Sequence, residues 1–297
     1  MSKVNATLAA ALAGAVFMFM TGGQVFAAQC NHKGGFPAFV ADFKKEAEQK
    51  GISKRGLAAL DGVTLDQTVL SLDKRQGVFR QSFEQFSARM ISRDRLTKGA
   101  KLMHQYASQL KRIEQQYGVS PAVVVAIWGL ETDYGVNQGK MSVVRSVATL
   151  AYDCRRSDKF QAELTDALRI VDRGDMASTD MRGDWAGEIG QTQFLPSSYA
   201  KYAVSYDGRG KPNLVRNAPD VLASTANYLK SHGWQRGQGW DPGQPNFAVI
   251  KEWNKAEVYA KTIALFADKL NGGNGAKADN PAPQKKPGAR SDRRAAR

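Results

Sequence analysis

The chain reads as a mainly α-helical protein, and three features of the sequence say so. Apolar residues recur at helical spacing between Phe36 and Tyr117. A run that is apolar on every side, AVVVAIWGL, follows a Ser120-Pro121 pair suited to a helix start. Beyond it, SVVRSVATLAYDCRRSDKFQAELTDALRIVDRG carries two more helical patterns joined around Asp153 to Asp158.

Taken in order, residues 1–27 read as a signal peptide. Lys3 supplies the positive start, LAAALAGAVFMFM the apolar run, and Val25-Phe26-Ala27 the small-residue cleavage site. That run is short for a bilayer span, and nothing later resembles a transmembrane helix. Cys30 follows closely, but Ala27-Ala28-Gln29 is a poor lipidation signal. The expectation is an exported, periplasmic protein cleaved near Ala27. FPAFVADFKKEAEQKG then puts Phe36, Phe39, Val40 and Phe43 on one helix face, with Gly51 as its end. ISKRGLAALDGV makes a second short helix. LDKRQGVFRQSFEQFSARMISRDRL carries Phe79, Phe83, Phe86 and Met90 as a core-facing stripe. LTKGAKLMHQYASQLKRIEQQYGV continues as helix until Gly118 closes it.

The run after Ser120 is apolar all round, so its helix belongs inside the protein. Gly135 is expected to stop it. One carboxylate, Glu131, falls in its last turn. Burial, the negative helix terminus, and Ile127 and Trp128 one turn back all favour the protonated form. That describes a general acid at neutral pH. The alternative is a helix-end Glu that reaches solvent or a buried Arg. After the two helices of 142–174 comes DMRGDWAGEIGQTQFLPSSYAKYAV. Gly183, Gly187 and Gly190 there imply close backbone approach, to the apolar helix or to a ligand. Gln191, Gln193, Ser197, Ser198, Tyr199 and Tyr202 are neutral polar and aromatic groups of the kind that suit carbohydrate. The bland reading is a Gly-rich loop with a helix N-cap at Ser197.

Two cysteines, Cys30 and Cys154, and an oxidising compartment leave both a disulfide and two free thiols open. Three scattered histidines, His32, His104 and His232, without CxxC or HExxH give no zinc or haem pattern, and no cofactor is expected. The net charge is +14, of which +5 lies in the Gly-, Pro- and Ala-rich tail 271–297, expected to be a disordered linker or electrostatic tether. Outside the cytoplasm such a charge points to acidic polymers; no nucleic-acid-binding pattern accompanies it.

ETDYG at 131–135, AGEIGQTQFLPSSY at 186–199 and ANYLKSHGW at 226–234, in that order and spacing, resemble the membrane-bound lytic murein transglycosylase B family over roughly residues 36–270. The resemblance implies a lysozyme-like, mainly α catalytic domain over 28–270, with an N-terminal helical part (28–118), a core (119–270) and a small loop or β insertion. It implies peptidoglycan glycan strands as the partner and cleavage of the MurNAc–GlcNAc bond without water. One carboxylate, here Glu131, serves as acid and then base, leaving a 1,6-anhydromuramoyl end. A conventional glycosidase uses two carboxylates flanking the bond. Asp133, two positions along the helix, points elsewhere.

By resemblance, Gln193 contacts an N-acetyl group or holds the Glu, and Tyr228 lines the groove. Arg155 and Arg156 meet the acidic or peptide-bearing side of the substrate. Tyr259 and Trp253 flank the site, Trp253 standing where the family has a phenol. Asp184 stands where relatives have Ser; it either raises the Glu131 pKa or pairs with an Arg. Arg209, Lys211 and Arg216 fall within SYDGRGKPNLVR, where some relatives bind calcium, so no metal is expected. Two rival readings remain: a hydrolytic muramidase using Asp184, and an inactive murein-binding scaffold for an envelope complex. A monomer is expected.

Overall fold

The computed structural model describes residues 28–75 and 81–272. The expected signal peptide (1–27), Phe79 and nearly all of the tail therefore lie outside the described residues. Thirteen α-helices are present among the described residues: α1 Gly35–Gln49, α2 Lys54–Leu57, α3 Gln67–Lys74, α4 Phe83–Met90, α5 Arg93–Gln105, α6 Ala107–Tyr117, α7 Pro121–Thr132, α8 Val143–Tyr152, α9 Ser157–Asp172, α10 Pro196–Tyr202, α11 Ala218–Ser231, α12 Pro245–Trp253 and α13 Glu257–Leu270. Two short strands, β1 Met141–Ser142 and β2 Arg182–Gly183, pair antiparallel, and bridges at Ile189 extend them into a small β loop.

α7 is the axis. Its residues 122–130 and Thr132 are buried, as an all-apolar helix requires. α13, α5, α6 and α11 pack around it, while α8 and α9 form a second pair against α1, α2 and α10. α1 buries the four residues assigned to its core face, Phe36, Phe39, Val40 and Phe43.

Four local expectations are corrected. The helix through 96–117 is broken at Tyr106, whose φ of −101° and ψ of 21° end α5 and start α6. The Tyr106 ring meets Trp128 edge-on at 6.0 Å, and the break lets both halves lie against α7. α7 is stopped by Asp133 and Tyr134, with φ of 53° and 60°, ahead of Gly135. Ser197 is not an N-cap: Leu195 holds that place, and the Glu163 carboxylate from α9 accepts Ser197 N at 2.9 Å and Ser197 Oγ at 2.8 Å. The close neighbours of Gly183, Gly187 and Gly190 are not on α7. A Cβ on Gly187 would sit 2.3 Å from Val147 on α8, and one on Gly190 would sit 2.4 Å from the Leu214 carbonyl.

The cysteines form a Cys30–Cys154 disulfide with sequence separation 124, tying the N-terminal segment to the turn between α8 and α9.

Candidate active site

Two consecutive left-handed residues just past Glu131 give α7 an abrupt end. Each costs about 1 kcal/mol or more for a residue with a side chain, and tertiary contacts hold both. Asp133 lies beside Arg95 Nε (3.4 Å) and Lys98 Nζ (3.7 Å), away from Glu131. The Tyr134 hydroxyl donates to the Arg95 carbonyl at 2.8 Å, and its ring folds back over Gly129. A Cβ at Gly129 would come within 2.8 Å of that ring. The other side of the α7 terminus is pinned by Gln191: Trp128 Nε1 donates to Gln191 Oε1 at 2.9 Å, and Thr132 Oγ1 to Gln191 O at 2.5 Å. Glu131 is thereby fixed at the end of a rigid, buried helix.

Its carboxyl is poorly hydrated, although the residue keeps an accessible face. Trp253 Nε1, from the end of α12, donates to Glu131 Oε1 at 2.8 Å. The Tyr259 hydroxyl, from α13, donates to the same oxygen at 2.9 Å. Burial raises the Glu131 pKa from 4.5 to about 7, against the lowering effect of these two bonds, and the Asp184 charge adds to the rise. An indole N–H can only donate, so Oε1 is the acceptor oxygen and the proton of the neutral acid sits on Oε2. The phenol expected at 253 is replaced by an indole, and the indole keeps a donor on the acid as well as a ring face.

Trp253 continues into an aromatic wall. Its ring lies 5.5 Å from Phe194 and 5.0 Å from Tyr228, and Tyr228 stacks on His232 at 4.1 Å and meets Tyr202 at 4.9 Å. The Tyr228 hydroxyl donates to Glu252 O at 2.8 Å. Gln193 adopts φ of 53°, and its amide donates to Gly190 O at 2.7 Å and Gln138 O at 3.2 Å, with Phe194 of the wall as its neighbour.

Asp184 Oδ1 accepts the backbone N–H of Ala186 (2.9 Å) and of Glu188 (3.3 Å), so it is held by its own loop and not by an arginine. Its pKa is raised chiefly by burial. Glu188 was not singled out in the sequence, yet it is a third carboxyl in this neighbourhood. Burial drives its pKa well up, reinforced by the charges of Asp184 and Glu131 and opposed by Lys159. Its only signal in the sequence is an acid inside a Gly-rich apolar stretch.

Arg155 and Arg156 are not brought to this cluster. Both guanidinium groups pair with the Asp73 carboxylate, which is 2% exposed. They follow the C-terminus of α8, whereas β1 and its partner strand beside Asp184 lie at the helix's N-terminus, roughly 15 Å away. In the loop 205–216, Lys211 Nζ pairs with Asp175 at 2.8 Å, while Asp220 accepts Tyr206 N and Asn213 N, each at 2.9 Å or less. Asp207, the one carboxylate of the loop itself, accepts Ser205 Oγ at 2.7 Å and Arg209 N at 2.9 Å.

A mainly helical domain built round one buried helix, with a single acid at its end facing an aromatic wall, is lysozyme-like. The transglycosylase SLT domain model matches residues 35–244, and the chain belongs to that family. Membrane-bound lytic murein transglycosylase B of Escherichia coli (strain K12) is 36% identical over 169 residues, 54% of this chain. The chain spans about half the length of that relative, 46%. SltB3 from Pseudomonas aeruginosa, solved in complex with NAG-anhNAM-pentapeptide and with NAG-NAM-pentapeptide, superposes with a TM-score of 0.76 at 30% identity over 80% of each chain. Soluble lytic transglycosylase SltB1 from the same organism gives 0.73 at 26% identity, covering 80% of this chain and 99% of the other.

Proposed function

We propose that the protein is an exported lytic murein transglycosylase in which Glu131 is both acid and base. The observation that carries this reading is the Glu131 carboxyl itself, fixed at the end of α7, with a pKa raised to about 7 and both protein donors on Oε1. Glu131 Oε2 delivers its proton to the glycosidic oxygen as the bond to the muramoyl anomeric carbon breaks. The resulting carboxylate is stabilised by Trp253 and Tyr259. It then takes the proton of the muramoyl 6-hydroxyl as that oxygen closes on the anomeric carbon. The proton returns to Oε2, no water is consumed, and the strand ends in a 1,6-anhydro ring.

The aromatic wall of Trp253, Tyr228 and Phe194 offers apolar faces to sugar rings, and Gln193 lies beside it to meet an N-acetyl group. Family membership and the peptidoglycan-fragment complexes of SltB3 support the same substrate class. Export is supported by the signal sequence; no helix of the described residues is long and apolar enough to cross a membrane. Hydrolysis would need a second carboxylate in its charged form to activate water, and burial raises the pKa of both neighbouring candidates, Asp184 and Glu188, which disfavours that form.

Glu131→Gln tests the proposal. The variant keeps the side-chain size and an acceptor for both donors, so it is expected to fold and bind glycan strands. Its release of soluble fragments from purified sacculi should fall by about 10³-fold or more. Activity within tenfold of wild type would remove Glu131 from the chemistry.

A further inference from the structure

Ala28, the first described residue, is not a loose end. The residue is 4% exposed. Its backbone nitrogen donates to Glu46 Oε2 at 2.8 Å, and its carbonyl accepts Gln161 Nε2 at 2.8 Å. Gln161 is oriented by Ser157 Oγ at 2.9 Å. Three residues on, Asn31 N bonds to Tyr152 O at 2.9 Å, and the Cys30–Cys154 bond locks the segment against the α8–α9 turn. The slot between α1 and α9 thus offers a carboxylate to the nitrogen, an amide to the carbonyl and room for a methyl group.

Glu46 is the unusual member. It is 6% exposed, and its other oxygen pairs with Lys50 Nζ. A buried carboxylate is costly unless charge and hydrogen bonds compensate it, and a neutral peptide N–H is a modest partner for one of its two oxygens. An ammonium at the same point would bring a full charge with the same geometry. The sequence before Ala28 ends in Val25-Phe26-Ala27, the small-residue pattern after which leader peptides are cut.

We propose that Ala28 is the mature N-terminus and that its α-ammonium docks on Glu46 as an ion pair the precursor lacks. Water adds across the Ala27–Ala28 peptide bond in the leader peptidase; Ala27 departs as a carboxylate and the Ala28 nitrogen is protonated. Leader removal thereby completes the N-terminal anchor and couples processing to the stability of the exported fold. The inference rests on the export reading and is independent of the catalytic one.

N-terminal sequencing and intact mass of the protein recovered from the periplasm come first. A start at Ala28 is expected. A start elsewhere beyond Met1 overturns the inference and leaves export standing, and an intact Met1 terminus overturns both. Thermal unfolding of two purified proteins then reads the ion pair: one beginning at Ala28, the other carrying Gly-Ser before it. The Ala28 form should melt about 3 °C or more higher, and the gap should close when both carry Glu46→Gln. Equal melting temperatures overturn the proposal, as does a gap that survives Glu46→Gln, which would reflect crowding by the extension. Were Glu46→Gln too unstable to isolate, acetylating the Ala28 amine would replace it: the acetylated protein should melt with the Gly-Ser form, and one melting with the free amine overturns the pair.

Discussion

At the level of single residues, the proposed chemistry turns on Glu131. Its folded pKa of about 7 lies above the 4.5 of an ordinary Glu. The protonated form therefore favours folding; that contribution is complete below about pH 4.5 and is lost as pH rises through about 7. A shift of that size is worth roughly 3 kcal/mol at most. Glu131→Gln is thus expected to match the wild type in stability near pH 4 and to exceed it near pH 8–9, read by denaturant unfolding at the two pH values. Equal stabilities throughout would mean that the acid is solvated. Asp184 bears on the same proton. Its charge pushes the Glu131 pKa up, as a smaller influence than burial. Asp184→Ser should therefore move the alkaline limb of the pH–rate profile downward, and an unchanged profile would exclude tuning by Asp184. Glu131 was legible because an acid in an all-apolar helix is conspicuous in any sequence. Glu188 was not, because only the folding of its loop buries it. Gln191, read as one polar group among several, proves to be the side chain that clamps Trp128.

Among the elements, the helices with a clear apolar face were legible and their ends less so. α1, α8 and α9 follow the periodicity of their own residues. The break at Tyr106 is decided by its packing on Trp128, and the stop after Thr132 by Arg95, Lys98 and Gly129, none of which local sequence reveals. The α8–α9 turn shows the same limit. Its two arginines resemble substrate contacts, and the fold engages them with Asp73 on α3. Removing both would leave a buried carboxylate unpaired, which costs about 3–5 kcal/mol. The double variant Arg155→Ala/Arg156→Ala should therefore lose more stability than Asp73→Asn, which removes the charge itself. Urea unfolding of both compares them directly. A double variant as stable as the wild type, with a raised KM for glycan, would return these arginines to the substrate.

Across the whole molecule, α7 gathers what the chain carries far apart. Glu131, Trp253 and Tyr259 meet over sequence separations of 122 and 128 residues. The fold class was readable because helical periodicity is local. The assembled site was readable only through the resemblance of its motifs, since no spacing rule brings α12 and α13 to the end of α7. The disulfide likewise stayed open until the fold placed Cys30 beside Cys154. Mass spectrometry of the muropeptides released from purified sacculi reads what this assembly does to a glycan strand. 1,6-Anhydromuramoyl ends are expected from the wild type and none from Glu131→Gln. Reducing ends, one water heavier, would contradict the proposed chemistry and make the protein a hydrolase.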